Sequence, residues 1–341
     1  MKAIQLIEID KDLEEREIPR PEPKEDEVSV RIKAAGICHS DVHYRDGISP
    51  VAYLPITLGH EVAGVIEEIG EKVARFQVGD RVCVNYMVTC GKCYFCVKGS
   101  EQFCVEGKMI GKDIDGGYAE YIAVPTRGIF KLPDSVSFEH AAVMMCSTAT
   151  TLHAIKKTRF QPGETIAIFG FGGLGTSALQ LAKVFGAQDI YVVDINPAKL
   201  QAAKKMGALA VNAKEDDPVK KIMELTNGKG VDVALELIGL KQTLEQGVKS
   251  LGRFGRFGMV GITKELFEID SYEAICSEKE IIGVSDHLLS EIPFLLDLAD
   301  QGKLDLSQVV TKTVPLEEDA INKVHHQLQD YQADIRTVIK P

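Results

Sequence analysis

Five residues able to do metal or acid–base chemistry stand within six positions of this 341-residue chain: Cys38, His39, Ser40, Asp41 and His43, in the stretch AAGICHSDVHYRDG. A polar turn after a strand accounts for the serine and the aspartate, but not for a thiol beside two imidazoles. Thiolate and imidazole are ligands for a divalent ion such as zinc, while hydroxyl, carboxylate and imidazole pass protons. Such chemistry needs partners elsewhere in the chain. His60, with Glu61 beside it, lies in LGHEVAG, and Cys146 lies in AAVMMCSTATTLHA. A catalytic zinc takes three protein ligands and keeps a fourth position open, which makes Cys38, His60 and Cys146 candidates for one set. Each alone is a weak signal, because a single cysteine in an apolar run is usually core packing.

A second cluster is stronger. CGKCYFCVKGSEQFC gives Cys90-x2-Cys93-x2-Cys96-x7-Cys104, four of the chain's eight cysteines within fifteen residues. Two-residue gaps let neighbouring thiolates turn towards one ion. Four thiolates close a tetrahedron around zinc and leave no open position, which marks a structural site. An iron–sulfur cluster also takes four thiolates, but one isolated set beside a nucleotide fold favours zinc. Cys83 and Cys276 have no such partners in sequence and read as core.

A third motif, FGFGGLG, sets Gly170, Gly172 and Gly175 at the spacing of a dinucleotide turn, with Gly173 and Leu174 between them. Glycine runs are common in turns, but this one follows the apolar strand TIAIF and opens a helical pattern, the context in which a pyrophosphate sits on a helix N-terminus. Asp194 ends the next strand, nineteen residues beyond Gly175, where an acid would bind the adenosine ribose. The competing reading of Asp194 is a helix cap ahead of Pro197.

The elements that must position these groups follow two patterns. Up to about residue 147, EVSVRIKAAGI, EVAGVIEEIG, DRVCVNYMV and GYAEYIAV read as strands punctuated by Gly and Pro. From about 148 short apolar strands alternate with amphipathic helices: ETIAIFG, LGTSALQLAKVFGA, DIYVVD, PAKLQAAKKMGA, and so on to EIIGVS. That alternation predicts an α/β, doubly wound parallel sheet with its nucleotide crevice at the carboxyl ends of the strands. The tail from about 288 reads as helical and then extended (ADIRTVIKP), and is too short to stand as an independent domain, so it should dock on one of the others.

Composition bounds the rest. A hydrophobic fraction of 45% and a charged fraction of 26% are those of a chain that buries a full core. A net charge of −11 argues against nonspecific nucleic-acid binding. No apolar run approaches the ~18 residues of a membrane span, and the charged N-terminus lacks a signal-peptide core. The expectation is a cytoplasmic protein with reduced thiols.

Taken together, GICHSDVH, GHE, the four-cysteine stretch, GGYAEY, MMCSTATT, GFGGLG, VVD and DIRTVIKP resemble the zinc-dependent medium-chain alcohol dehydrogenases, from end to end. The resemblance implies a β-rich GroES-like catalytic domain over 1–147 carrying a structural-zinc lobe. It implies a Rossmann dinucleotide-binding domain over 148–287, and a segment over 288–341 that completes the catalytic domain. It implies one catalytic and one structural zinc per subunit, NAD as hydride acceptor, a small alcohol or carbonyl substrate, and a homo-oligomer, tetramer or else dimer. By position, Cys38, His60 and Cys146 resemble the catalytic-zinc ligands, with Glu61 a transient fourth. Asp41 resembles the carboxylate that orients the zinc-bound imidazole, and Ser40 and His43 the path that carries the alcohol proton to solvent. His39 stands where the family often has a basic pyrophosphate contact; a histidine there makes that contact pH-sensitive. Lys199 resembles an adenosine-side contact, Thr150 a nicotinamide-side contact, Val260 a further cofactor contact, and Arg336 a pyrophosphate contact. Polyol and threonine dehydrogenases of the same superfamily commonly carry a carboxylate where Cys146 stands. A binding protein that kept the fold without turnover is the alternative from another class.

Overall fold

A computed structural model describes residues 1–330 and 335–341, so Ala333 and Asp334 of the closing stretch lie outside the described residues. The chain divides into two compact units, Met1–Ala149 together with Leu288–Pro341, and Thr150–His287.

The first unit is built on a seven-stranded sheet. Its path runs Ile129–Lys131, Arg81–Val84, Glu61–Ile69, Glu27–Ile37, Thr337–Lys340, Lys312–Pro315, and Tyr121–Pro125 pairs with the other half of the long Glu27–Ile37 strand. That central strand buries alternating and then consecutive residues, because its C-terminal half is covered on both faces. Val30, Ile32, Ala35 and Ile37 join Val62, Ile66, Val82, Tyr118, Ile122 and Ile339 in one apolar core. The tail thus supplies a core strand of this unit. A smaller sheet, Glu14–Glu17, Lys2–Leu6 and Ile56–Thr57, adds strands at the N-terminus that the sequence patterns did not resolve.

Helix Glu318–Gln329 buries His325 completely, and neither ring nitrogen has a hydrogen-bond partner among the described residues. Its edge meets the ring of Tyr118, with centroids 6.0 Å apart. Burial holds the imidazole down to about 4, with Asp41 and Asp46 opposing and Arg45 and His326 assisting. A folded pKa below the unfolded value means that the unfolded chain binds more protons between the two. The stability from a neutral His325 is therefore full above the ordinary histidine pKa and is lost as pH falls towards 4. A shift of this size corresponds to about 3 kcal/mol. His325→Phe should flatten the decline in melting temperature between pH 7 and pH 4.5; an identical decline in both proteins would remove His325 as its cause.

The second unit is a six-stranded parallel sheet in the order Leu209–Asn212, Ile190–Asp194, Ile166–Phe169, Val231–Glu236, Leu251–Met259, Glu280–Gly283. In chain order that is 3-2-1-4-5-6, the dinucleotide-binding arrangement whose switch point lies beside the first strand. Ile166–Phe169 is buried throughout, as a central parallel strand must be. Helix Pro197–Lys205 starts as its sequence dictates. Pro197 takes the first turn, and the cap is Asn196, whose side chain accepts from the Ala198 and Lys199 N–H groups at 2.9 and 3.3 Å. Asp194 is therefore not the cap. A short helix, Ser271–Cys276, shows no pattern in the sequence, and its Cys276, expected in the core, is exposed because the helix turns it to the surface.

Candidate active site and metal centres

Sheet register assembles the first cluster. Gly36 pairs with Glu61 across one edge of the central strand, and Ile37 pairs with Thr337 across the other. Cys38 at the end of that strand is thereby set against His60 and Glu61 on one side and Arg336 on the other. Cys146 arrives from a π-helical turn, Met144–Thr148, a wide turn of the kind often found at functional sites. One ligand atom from each of Cys38, His60, Glu61 and Cys146 lies within 4.8 Å of the others, and all four residues are buried.

The surroundings make this a site for a cation. Cys38 caps the helix His39–Arg45, and Asp41 in its first turn reaches back to the Cys38 N–H at 2.9 Å. The other oxygen of Asp41 lies 3.0 Å from Nδ1 of His60, which leaves Nε2 to face the sulfurs. The Cys146 thiol beside Cys38 lowers the Cys38 pKa well below the usual range, while its own is raised by Cys38 and by burial. Two sulfurs this close, together with the His60 and Glu61 ligand atoms, are spaced to meet on one ion. For His60, burial disfavours the cation, but the Asp41 carboxylate and Cys38 outweigh it and raise the pKa. Burial pushes Glu61 up to about 8, Arg336 pulls it back, and the Cys38 charge adds to the rise. Glu61 Oε1 accepts from Arg336 Nη2 at 2.5 Å, whereas Oε2 has no hydrogen-bond partner among the described residues. A buried orphan carboxylate oxygen beside two thiols and an imidazole nitrogen is a donor set that a divalent ion satisfies. Gly36 makes room for it, since a Cβ there would lie 1.9 Å from Oε2.

Ser40 and His43 sit three apart on helix His39–Arg45, so they share a face, and the Ser40 hydroxyl is 3.8 Å from the Cys38 sulfur. The His39 and His43 rings meet edge to face, with centroids 4.8 Å apart. Burial first, then the neighbouring His43, lowers the His39 pKa, which weakens it as a cationic phosphate contact near neutral pH.

In the second cluster Cys90 Sγ is 4.0 Å from Cys96 Sγ, and Cys93 Sγ is 3.9 Å from Cys104 Sγ. A tetrahedron with zinc–sulfur bonds of about 2.3 Å has edges of about 3.8 Å, so the four thiols are already spaced for the ion. The lobe has little core of its own: Tyr94, Val97, Phe103 and Val105 are all exposed.

In the second unit the glycine turn is formed. Gly170 has φ +96°, a Cβ on Gly175 would lie 2.0 Å from the Gly170 carbonyl oxygen, and Gly172 faces open space. These are the tight turn, the close helix–strand packing and the backbone left clear for a phosphate. Gly173 and Leu174 start the helix Gly173–Val184 behind it. Asp194 is fixed at its strand end, Oδ2 accepting from the Phe171 N–H at 2.7 Å and Oδ1 from the Asn196 N–H at 2.8 Å. Thr150 is buried and Lys199 lies in the first turn of helix Pro197–Lys205.

The residue patterns had assigned no role to two groups. Glu236, fully buried, accepts through Oε1 from the N–H groups of Ile238 and Gly239 and from the Thr243 hydroxyl, at 2.9, 2.8 and 2.7 Å. Its main-chain carbonyl accepts from the N–H groups of Val260 and Gly261. One residue therefore ties together two loops at the carboxyl edge of the sheet, including the one that carries Val260. A carboxylate inside the apolar run DVALELIG was the available signal. Tyr118, in GGYAEY, donates its hydroxyl to Asp41 Oδ2 at 2.9 Å. Arg336, expected on a pyrophosphate, is held in this structure by Glu61 and by the carbonyl of Ile37.

A dinucleotide-type sheet in one unit and two thiol clusters spaced for metal ions in the other are the marks of a metal-dependent oxidoreductase. Residues 24–134 match the alcohol dehydrogenase GroES-like domain, and residues 173–300 match the zinc-binding dehydrogenase domain. The chain is 38% identical to an NAD-dependent alcohol dehydrogenase of Sulfurisphaera tokodaii, over the whole of both chains. It is 37% identical to a sorbitol dehydrogenase of Bacillus subtilis, covering 88% of this chain and 86% of that one. The crystal structure of the alcohol dehydrogenase of Aeropyrum pernix superposes with a TM-score of 0.91 at 35% identity, covering 100% of both chains. The chain belongs to the zinc-dependent medium-chain alcohol dehydrogenase family.

Proposed function

We propose that the protein reversibly oxidises a primary or secondary alcohol to the aldehyde or ketone, with hydride passing to NAD. In this reading residues 1–147 and 288–341 carry the chemistry and residues 148–287 hold the dinucleotide. The observation that carries it is the buried convergence of Cys38, His60 and Cys146, with Asp41 on the far side of the imidazole and Ser40 beside the thiol. These three residues would hold a catalytic zinc, with Glu61 in reserve, and Cys90, Cys93, Cys96 and Cys104 a structural one. When bound, zinc supplies Lewis-acid polarisation of the alcohol oxygen and NAD supplies the hydride acceptor.

The rest is done by the chain's own residues. Asp41 accepts the Nδ1 proton of His60 and so keeps Nε2 free as a ligand. Ser40 Oγ takes the alcohol proton, and His43, one turn along the same helix, passes it outward. Gly170, Gly172, Gly173, Leu174 and Gly175 receive the pyrophosphate, and Asp194 and Lys199 hold the adenosine side. His39, Thr150, Val260 and Arg336 complete the cofactor contacts, Arg336 serving Glu61 as well.

The protein is further proposed to be a cytoplasmic homo-oligomer, a tetramer or else a dimer. Eight cysteines with no disulfide among the described residues suit a reducing compartment. The edge strand Glu280–Gly283 and the exposed Leu266, Tyr272 and Ile275 offer surface for a second copy. Among the described residues no helix is long and apolar enough to cross a membrane.

A spectrophotometric screen of alcohols and carbonyl compounds against NAD and NADP tests the reading; a protein with both metals in place that reduces neither cofactor is a binding protein. A polyol preference is the second reading, supported by the sorbitol dehydrogenase relative, while the thiol of Cys146 leans away from it. For the proton path, Ser40→Ala should lower alcohol oxidation by about a hundredfold or more. His43→Gln should cost less, because water substitutes in part, and should displace the pH–rate profile. Unchanged rates and pH dependence in both variants would assign the proton to another group.

A further inference from the structure

We infer that Tyr118 is a positioning residue for the open metal site, its hydroxyl setting the rotation of the Asp41 carboxylate and, through it, the direction of both His60 and Cys38. This rests on the reading of Cys38, His60 and Cys146 as metal ligands.

Asp41 is completely buried and its two oxygens have different tasks. Oδ1 takes Nδ1 of His60, and Oδ2 takes both the Cys38 N–H and the Tyr118 hydroxyl, at 2.9 Å each. The side chain of one aspartate thus fixes the ring of one ligand and the backbone of another. A carboxylate turns about a single bond, so whichever group grips Oδ2 also decides where Oδ1 points. The Cys38 N–H belongs to the helix turn that Asp41 itself caps, and it would move with it. Tyr118 is the anchor from outside that turn.

The anchor is itself rigid. Gly117 and Tyr118 donate their N–H groups to the carbonyls of Gly59 and Leu58, at 2.7 and 3.0 Å, and the Tyr118 carbonyl accepts from the Ile4 N–H at 2.8 Å. The GGY segment is therefore laced to the strand end that delivers His60. The Tyr118 ring lies against Gly59, where a Cβ would sit 2.3 Å from the ring. Gly59, with φ +92°, precedes His60 directly. The ring thus packs under the backbone of one ligand while the hydroxyl reaches the carboxylate that orients it. The His325 ring meets the Tyr118 ring edge to face, with centroids 6.0 Å apart.

Outer hydrogen-bond partners of metal ligands are worth about ten- to a hundredfold in metal affinity. Tyr118→Phe keeps the ring and removes only the hydroxyl. In the metal-loaded protein, the variant should release the open-site ion to a chelator about tenfold faster, while the four-cysteine ion leaves at the unmodified rate. With cobalt substituted at the open site, its visible spectrum should shift. Because Tyr118 acts through Asp41, adding Tyr118→Phe to Asp41→Asn should change the release rate no further. Unmodified release and spectrum in Tyr118→Phe, additive effects in the double variant, or loss of both ions through misfolding would each overturn the proposal. Unmodified protein that holds an ion only at the four-cysteine site would instead overturn the ligand reading on which it stands.

Discussion

Replacing Cys146 with alanine is expected to leave one metal ion per chain where the unmodified protein holds two, and to lower kcat by on the order of a thousandfold or more. In the proposed site the sulfur of Cys146 is one of three donors, and the neighbouring Ser147 bonds back to the Val143 carbonyl instead of facing that site. Lewis-acid stabilisation is worth several kcal/mol of barrier, and about 4 kcal/mol is a factor of a thousand. NAD should still bind, because the glycine turn and Asp194 lie in the other compact unit. Cys93→Ala gives the contrast. It should release the other ion and lower the melting temperature, since the apolar side chains of that lobe are exposed and the thiolates stand in for a core. Elemental analysis, thermal unfolding, NAD titration and kcat on the two variants separate these outcomes. Iron with visible absorbance in the unmodified protein, or full turnover by Cys146→Ala, would remove the zinc assignment.

The second large effect concerns the choice of dinucleotide. NAD should be preferred over NADP by at least about a hundredfold in kcat/KM. The Asp194 carboxylate is held in place by the N–H groups of Phe171 and Asn196, at the end of its strand and beside the glycine turn. It cannot swing away from an added 2′-phosphate without giving up those bonds. The following residue, Ile195, is exposed and brings no positive charge. A unit charge pair a few ångströms apart near a protein surface is worth about 4 kcal/mol. If only ~2.7 kcal/mol of that survives solvent, the ratio is already a hundred. Asp194→Ser should cut activity with NAD and raise activity with NADP. Equal use of the two cofactors by the unmodified enzyme would refute the role given to Asp194.

Much of this site was legible in the chain because its parts obey short-range rules. The four cysteines fall within fifteen residues, so their spacing alone announces one ion. FGFGGLG sits between a strand and a helix, and both have periodicities that can be read within a dozen residues. Ser40, Asp41 and His43 share one helical turn with Cys38 at its cap, which is again local. Helix Ser271–Cys276 escaped for the opposite reason: Tyr272 and Ile275 face outward, so its apolar residues mark no buried stripe.

What the amino-acid order determined by itself is therefore the kind of chemistry expected: two candidate thiol centres, a dinucleotide turn and an acid placed to meet the ribose. The tertiary structure decided which distant groups meet. Pairing of Gly36 with Glu61 and of Ile37 with Thr337 brings Arg336 onto Glu61. The zipping of Gly117 and Tyr118 onto Leu58 and Gly59 brings a phenol under Asp41. The physical reason is that strand register is set by which faces are buried against the rest of the sheet, and a slip of one residue would turn every side chain to the opposite face. That choice depends on segments far apart in the chain, Ile37 and Thr337 most of all, and no local period records it.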